Sequence, residues 1–423
     1  MIKKGNRPQQ IKEQLEQVLR PQDADAKISV KQTSLGWLYL HIITSSFEGK
    51  SDIEREEQID AALEKLNLRV GGFPFANFML HTPQEASEYK PMQAIEIPLW
   101  SEVLMAPDPD IPAPLDKHTE SKSPLIITFY SFKGGVGRST ALAFVANILA
   151  TREYRVVMID FDLAAPGLSV MFPANALAPD KYGVVDYLYQ RFLDQDENRP
   201  NITECTRRIE TPTDGELYLI PAGEYNEDEE GYVHRSADLG MHPLYQLNNN
   251  PIHQLFNDIK TSLKPDIILL DASTGFTEVG AVALLDQADL GILCFSPATE
   301  QSFAGLKWVV KAAKMQRSYR GIPDLRFLLT PMPAVAAIQQ QVWIARASEW
   351  IANNWEIPPS VTIDELYYQV PYNPHITTLA SLASDMPPGI LEAYIPLADA
   401  ITARVPKKCP PISKLADQRV EEV

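Results

Sequence analysis

A glycine-rich segment near the middle of the chain has the composition of a phosphate-binding loop. It reads KGGVGRST over residues 133–140, with an apolar run before it at 125–130 and another after it at 141–150. This order predicts a strand, a glycine turn and a helix, so that backbone N–H groups and the helix N-terminus point at phosphate oxygens. The hydroxyl of Ser139 would lie beside a magnesium ion at the phosphates. The predicted phosphate-binding residues are Lys133, Gly134, Gly135, Val136, Gly137, Arg138, Ser139 and Thr140.

Acidic residues follow two other apolar runs. The run at 156–159 leads into Asp160 and Asp162, and the run at 267–270 leads into Asp271. If these runs are parallel strands, their carboxylates lie at the same sheet edge as the phosphate loop. An acid that ends a buried strand is the usual support for magnesium beside such a loop. One aspartate in this position is equally compatible with a helix cap, so the prediction of a metal site depends on all three signals together.

Arginine occupies the loop position at which phosphate-binding loops usually carry lysine. The guanidinium of Arg138 is a planar fork that binds two oxygens at once, whereas a lysine ammonium is a compact point charge. In an ordinary phosphate-binding loop this exchange predicts slow or absent turnover.

The elements that must position these residues form one long pattern. Over 124–405 short apolar runs alternate with helical patterns, which predicts an α/β fold with a mostly parallel, doubly wound sheet and helices on both faces. Besides the strand before the loop, the predicted strands are 155–159, 217–220, 267–270, 290–295 and 326–329.

The rest of the chain predicts a smaller unit, a linker and a tail. Residues 1–88 predict a small α/β domain, residues 89–123 a proline- and aspartate-rich linker, and residues 406–423 a disordered tail. In the small domain we expect helices at 11–19 and 52–66 and strands at 38–43 and 75–80.

Composition narrows the class of protein. The formal charge of −17 makes nucleic acid and anionic membrane unfavourable partners, although a local basic patch stays compatible with it. The three cysteines are far apart, which argues against disulfides and metal cages and favours a reducing compartment: Cys205, Cys294 and Cys409. With no membrane-length apolar run and a polar N-terminus, the sequence predicts a cytoplasmic protein. The consecutive acids in 224–230 predict a solvated loop and not a metal site.

Residues 124–405 resemble the MinD/ParA family, the deviant-Walker P-loop ATPases of the SIMIBI class. The resemblance is greatest to a branch whose loop reads KGGVGR, and DFDLAAPG at 160–167 is similar to that branch as well. It implies that Lys133 is the signature lysine, which reaches the partner's phosphates across a nucleotide-sandwich homodimer. It also implies that Arg138 stands at the ordinary loop lysine and Ser139 at the magnesium-binding hydroxyl.

The same resemblance assigns roles to the carboxylates and implies a function. Asp162 aligns with the residue that positions or activates the attacking water, and Asp160 and Asp271 with the supports of hydrated Mg²⁺. The implied protein binds ATP, hydrolyses it slowly and uses it as a dimerisation switch. A non-catalytic nucleotide sensor or scaffold in a bacterial signalling or defence system stays open. A bacterial tyrosine kinase related to the same ATPases is the least favoured function. Such kinases carry tyrosine clusters in the C-terminal tail, whereas no tyrosine follows Tyr394 here.

The base-binding side of the site departs from the family. Thr330 stands after the strand at 326–329, where relatives often carry an asparagine that reads adenine. Pro371, in the PYNP segment at 371–374, is expected either to wall the base or to form a simple turn.

The N-terminal residues resemble BolA-like domains, which have KH-like topology. The resemblance lies in FEGKS at 47–51 and LHTPQE at 80–85. Because His81 stands alone in the sequence and the glycine pair at 71–72 is not a Gly-x-x-Gly clamp, neither cluster binding nor nucleic-acid binding is favoured. We expect residues 1–88 to be an adaptor for an unidentified protein partner.

Overall fold

The structure is a computed structural model that describes most of the chain. The described residues are 7–32, 38–69, 75–88, 97–106, 124–172, 182–193, 199–211, 213–223, 229–247, 249–357, 361–375 and 390–405. They belong to two compact units, an N-terminal unit (1–96 with 101–112) and a C-terminal unit (97–100 with 113–423). The glycine pair at 71–72, most of the predicted linker and the predicted tail lie outside the described residues.

The N-terminal unit is a three-stranded sheet with helices packed against it. Its elements are α1 (Arg7–Leu19), β1 (Lys27–Gln32), β2 (Leu38–Ile43), α2 (Asp52–Leu63), β3 (Phe75–His81) and α3 (Pro83–Glu88). The central β2 is antiparallel to β1 and parallel to β3. The four predicted elements are confirmed, with α2 continuing as a 3₁₀ turn to Leu66. The strand β1 was not predicted.

Apolar periodicity explains this small core. In β2, Leu38, Leu40 and Ile42 alternate toward the interior, as a strand buried on one face requires. On α1, Ile11 and Leu15 are fully buried and one helical turn apart. These side chains form one hydrophobic cluster, which holds the helix against the sheet.

A buried arginine joins the second helix to the segment after β3. The Arg55 guanidinium donates to Glu85 at 2.6 and 2.7 Å and to the carbonyl of Leu80 at 2.9 Å. Glu85 also accepts from the backbone N–H of Thr82 at 2.8 Å, and Thr82 in turn caps α3. The hydrogen bonds from Arg55 and from Thr82 lower the pKa of Glu85 to about 2. The TPQE part of the LHTPQE segment is therefore a capping motif that also holds Arg55.

Replacing Glu85 with glutamine is expected to destabilise the N-terminal unit by roughly 1 kcal/mol at pH 7, because Arg55 loses an ionised partner. A carboxyl whose folded-state pKa is lowered stabilises above its ordinary pKa, and that contribution is lost as pH falls from about 4.5 to about 2. Hydrogen exchange of peptides from α2 and β3 in the full chain measures the effect. Glu57→Gln, which changes an exposed residue of α2, is the control. Equal protection from exchange in the Glu85→Gln and Glu57→Gln variants would contradict the prediction.

His81 is not alone in the folded unit, so that part of the sequence interpretation is wrong. The rings of His41 and His81 meet edge to face with centroids 5.6 Å apart. They come from the neighbouring strands β2 and β3, whose parallel register places His41 opposite Met79 and Ile43 opposite His81. Strand pairing brings together two histidines that lie far apart in the sequence.

The C-terminal unit is built on an eight-stranded sheet in the described part of the chain. Its strands are β4 (Leu125–Tyr130), β5 (Arg155–Phe161), β6 (Arg207–Ile209), β7 (Glu216–Ile220), β8 (Ile267–Ala272), β9 (Leu290–Phe295), β10 (Asp324–Met332) and β11 (Tyr367–Pro371). The spatial order is β11-β10-β9-β4-β8-β5-β7-β6, and every pair is parallel except β6 with β7. This confirms the predicted mostly parallel, doubly wound α/β fold and all the predicted strands; β6 and β11 were not predicted.

The helices from residue 100 onward precede, connect or follow these strands, and α4 has most of its residues in the N-terminal unit. They are α4 (Trp100–Met105), α5 (Arg138–Thr151), α6 (Leu168–Met171), α7 (Val184–Phe192), α8 (Glu229–Asp238), α9 (Met241–Gln246), α10 (Pro251–Ser262), α11 (Glu278–Ala281), α12 (Glu300–Arg320), α13 (Ala337–Asn354) and α14 (Ile395–Thr402). No helix in the described ranges has both the length and the apolar character needed to cross a membrane. The central strands β4, β8 and β9 are buried along their whole length, as strands covered on both faces must be.

Two details bear on the sequence interpretation. The helix α4 lies within residues 89–123, and the linker predicted there stays a prediction. Glu229 and Glu230, predicted to lie in a solvated acidic loop, begin α8; residues 224–228 lie outside the described part of the chain.

Candidate functional site

The glycine loop lies where the sequence predicts it, between the end of β4 and the start of α5. Gly135 and Gly137 have φ values of 75° and 80°, a left-handed conformation that favours glycine. A Cβ atom added at Gly134 or Gly135 would meet nothing within 4 Å, so the loop backbone faces open space on that side. The side chain of Thr330 lies 3.4 Å from the position of a Cβ at Gly137 and closes the other side.

The three predicted carboxylates gather at the same edge of the sheet. Asp160 at the end of β5 lies directly opposite Asp271 in β8, because the two strands pair in parallel register. Asp162 follows two residues later, and all three side chains are buried. The strand order places β8 between β4 and β5, so the loop and both acidic strand ends are neighbours.

Arg138 contacts the carboxylates. Its Nε donates to Asp271 Oδ1 at 2.5 Å and its Nη2 donates to Asp162 Oδ2 at 2.9 Å. Only 8% of the Arg138 residue surface is exposed. Burial alone lowers the pKa of Arg138, but the charges of Asp271 and Asp162 and their hydrogen bonds raise it overall. The sequence assigned this side chain to phosphate, and the structure shows it as the counter-ion of two acids.

Asp160 differs from the other two acids in its contacts. Its oxygens accept hydrogen bonds from the backbone N–H groups of Asp162, Gly167 and Leu168 at 3.0 to 3.3 Å. Burial, and then the charge of Asp271, raise the pKa of Asp160 to about 8. These hydrogen bonds show that Asp160 fixes the backbone of the DFDLAAPG segment.

Ser273 is a site residue that the sequence analysis did not assign. Its hydroxyl donates to Asp162 Oδ1 at 3.1 Å, so both oxygens of Asp162 are engaged, one by Ser273 and one by Arg138. Its position two residues after Asp271, in the ASTG segment that ends β8, was the available signal.

Lys133 lies apart from these carboxylate contacts. Its Nζ donates to Gln301 Oε1 at 2.5 Å, a pairing between groups on the protein surface. Gln301 lies in the first turn of α12, 168 residues along the chain, and no sequence motif indicates it.

The other predicted binding residues differ in burial and in their place in the fold. Val136 packs against the central core, and Ser139 and Thr140 lie half-buried in the first turn of α5. Pro371 is exposed at the end of β11, opposite Met332. Because β11 is parallel to β10, Pro371 is at the sheet edge that carries the glycine loop.

The donors and acceptors at this edge fit a magnesium nucleotide. The Nη1 of Arg138 is buried and donates to no group among the described residues, so it is available to a phosphate oxygen. Burial raises the pKa of the Asp271 carboxyl, although the charge of Arg138 and the Ser139 hydroxyl act against that rise. Among the described residues, Oδ2 of Asp271 accepts no hydrogen bond of ordinary geometry. The described residues contain no cluster of three or more protein ligands for a bare metal ion, so a Mg²⁺ ion here depends on phosphate oxygens and water.

A strand, a glycine loop and a helix N-terminus at the carboxyl edge of a parallel sheet, with acids on two adjacent strands, define a nucleotide-binding protein of the P-loop class. Residues 127–345, more than half of the chain, match the family described as CobQ/CobB/MinD/ParA nucleotide binding domain. The chain belongs to this family.

Curated relatives match over shorter stretches. The putative replication protein A of Rhizobium rhizogenes is 35% identical over 101 residues, which cover 23% of this chain and 22% of that protein. The septum site-determining protein MinD of Buchnera aphidicola subsp. Schizaphis graminum is 26% identical over 175 residues, which cover 41% of this chain and 53% of that protein. The matched part thus spans about half or less of the length of these relatives.

Solved structures with a similar fold include two MinD proteins. The cell division ATPase MinD of Pyrococcus furiosus has 19% identity and a TM-score of 0.45, and the match covers 66% of this chain and 99% of that chain. MinD of Pyrococcus horikoshii, complexed with Mg-ADP, has 18% identity and a TM-score of 0.44, with 66% and 95% covered.

Proposed function

We propose that this chain is a cytoplasmic MinD/ParA-like ATPase that binds ATP with Mg²⁺, hydrolyses it slowly and dimerises in response to it. The observation that carries the proposal is the meeting of the glycine loop with Asp162 and Asp271 at one sheet edge. Hydrolysis of a phosphoanhydride needs positive charge over the transferred group and an oriented water, and this edge holds the residue types for both.

Each residue has a part in that chemistry. The loop N–H groups and Arg138 Nη1 bind phosphate oxygens, and Ser139 and Asp271 hold Mg²⁺ with its water shell. Mg²⁺ supplies charge neutralisation between the phosphates when bound. Asp162 orients the attacking water, and Asp160 keeps the segment after β5 in place. Pro371 forms one side of the binding site for the nucleotide base.

Slow turnover follows from the contacts of Asp162. Both of its oxygens already accept a hydrogen bond, one from Ser273 and one from Arg138, so Asp162 is held in a fixed orientation. Turning the carboxylate toward an attacking water opens its ion pair with Arg138. A buried ion pair opens only at a considerable free-energy cost, which raises the barrier.

The dimerisation switch rests on Lys133 and on the surface around it. Among the described residues Lys133 has one hydrogen-bond partner, Gln301. Surface contacts of this kind contribute little stability, so the ammonium can reach a second protein copy. The segments that leave the same sheet edge expose large apolar side chains: Val170, Phe276, Val335 and Ile338. Exposed apolar surface beside a charged site favours association.

In light scattering, the wild-type protein is expected to be a monomer without nucleotide and a dimer with a slowly hydrolysed ATP analogue and Mg²⁺. Lys133→Ala is expected to stay a monomer in both, because it lacks the cation that binds the partner's phosphates. Lys307→Ala, an exposed lysine of α12, is the matched control and should dimerise like wild type. If the molar mass of the wild-type protein does not change when the analogue is added, Lys133 does not act across a dimer interface.

The second candidate function is a non-catalytic nucleotide sensor or scaffold in a bacterial signalling or defence system. The pairing of Arg138 with Asp162 favours it, since a permanent pair keeps the carboxylate turned toward Arg138 and not toward an attacking water. Single-turnover phosphate release separates the two functions. Release no faster than from an Asp162→Ala variant identifies the non-catalytic protein.

We propose that the N-terminal unit is a BolA-like adaptor for a protein partner. The fold of three strands and the Arg55–Glu85 clamp make it a separate compact unit, as an adaptor requires. A pull-down with the full chain and with a chain that lacks residues 1–88 tests the role. If the full chain and the shortened chain retain the same partner equally, residues 1–88 are not the adaptor.

A further inference from the structure

A groove lies at the sheet edge opposite the glycine loop, where β4 and β9 begin. It has a volume of about 510 Å³, within the range of small-molecule sites. Its polar lining comes from α10, from the end of α12 and from the turn before β9: His253, Lys260, Asp286, Gln287, Asp289 and Arg320. None of these residues has a part in the nucleotide chemistry.

The acids of this groove are already bound within the protein. Asp286 accepts from Arg320 at 3.0 Å, from Gln287 at 2.6 Å and from the hydroxyl of Tyr245, and it contacts His253 at 3.2 Å. Burial raises the pKa of Asp286, but these hydrogen bonds and the Arg320 charge hold it below its ordinary value, so the carboxylate stays charged. Asp289 accepts the backbone N–H of Ile126 at 3.0 Å. The two carboxylates are therefore structural.

The basic groups keep donors that these contacts do not use. Within the described ranges the Lys260 ammonium has no hydrogen-bond or ion-pair partner, and Arg320 donates only through Nη1. His253 and Lys260 are seven residues apart on α10, so they share one helix face above the groove. The Lys260 ammonium and the Nη2 of Arg320 are therefore unused donors, which suits an acceptor-rich ligand.

The local backbone is also unusual. Asp286 and Gln287 end a π-helical turn, Val282–Gln287, which the Arg320 side chain closes by donating to the carbonyls of Leu285 and Asp286 at 3.4 and 2.8 Å. Turns of this kind are rare and often lie at functional sites. Here the turn fixes Arg320 at the rim of the groove.

We infer that this groove binds a small oxyanion, a phosphate- or carboxylate-bearing molecule, through Lys260, Arg320 and His253. Such a ligand takes the unused donors without displacing the two structural acids.

The test follows the ring signal of His253 by NMR in full-length protein labelled with ¹³C-histidine, identified by its loss in His253→Gln. Inorganic phosphate and citrate are titrated separately at constant pH and ionic strength. We expect a saturable shift with at least one of them, and saturation by only one assigns the phosphate or the carboxylate class. The glycine loop lies at the opposite edge, so this local signal separates the groove from phosphate binding there.

Lys260→Gln is expected to weaken the apparent affinity about tenfold, as loss of one charged hydrogen bond does. Lys307→Gln, a lysine about 20 Å from Arg320 along α12, should leave it unchanged. No shift, a shift that rises linearly without saturation, or an affinity unaltered in Lys260→Gln overturns the inference.

Discussion

Replacing Arg138 with methionine is expected to lower the free energy of unfolding of the C-terminal unit by about 3–5 kcal/mol in the absence of nucleotide. The change leaves Asp271, which is fully buried, and Asp162 without their cation. Methionine fills most of the aliphatic volume, so the loss reports the charge and the hydrogen bonds more than the packing. Hydrogen exchange of peptides from β4 and β8 in the full chain, at increasing urea, gives the free energy.

The pH dependence of this loss has a definite sign. Without Arg138 the buried Asp271 avoids its charge by binding a proton, so its folded-state pKa, already raised by burial, rises further. A carboxyl with a raised folded-state pKa loses stability as pH rises above its ordinary pKa of about 3.9. The cost of Arg138→Met should therefore be smaller at pH 5.5 than at pH 8.

Two matched variants make the result specific. Adding Asp271→Asn to Arg138→Met should recover part of the stability, because one unpaired charge disappears. Arg138→Lys should be intermediate, since a single ammonium cannot reproduce two hydrogen bonds from one planar fork. A cost below about 1 kcal/mol for Arg138→Met, or no recovery in the double variant, would show that the buried pairs do not stabilise the fold.

Replacing Asp162 with asparagine is expected to slow single-turnover phosphate release by roughly 100-fold or more. Asparagine has the same shape, and its one amide oxygen can accept from Arg138 while its amide nitrogen donates to the Ser273 hydroxyl, but the amide cannot take a proton or orient water as a carboxylate does. The affinity for ATP should change little, because Asp162 is not assigned to the phosphates. Rapid-quench release and equilibrium binding of a fluorescent ATP analogue measure the two quantities.

Asp238→Asn, on the exposed end of α8, is the matched control and should release phosphate like wild type. A large loss of ATP affinity in Asp162→Asn would assign Asp162 to binding and not to the chemical step. Release at the wild-type rate in the variant would exclude Asp162 as the residue that orients water.

The layered fold and the sheet edge that carries the site can be predicted from the amino-acid sequence alone. The strands β4, β5 and β8 are short apolar runs, and their ends are marked by a glycine loop or by acids. Such patterns are local, because strand formation and the left-handed turn at Gly135 and Gly137 depend on residues close in sequence. The short strands β6 and β11 escaped prediction because β6 has only three residues and β11 combines half-buried tyrosines with an exposed glutamine, so neither forms an apolar run.

The contacts of each charged side chain depend instead on how distant strands and helices pack together. Arg138 could be assigned to phosphate from the loop alone, but β8 lies between β4 and β5, and this order brings Asp271 and Asp162 within 3 Å of its guanidinium. Likewise Lys133 pairs with Gln301 across 168 residues, and the groove at the opposite edge gathers Lys260 and Arg320 from different helices. The physical reason is that a hydrogen bond or ion pair acts over a few ångströms, so its partner depends on which strands and helices become neighbours.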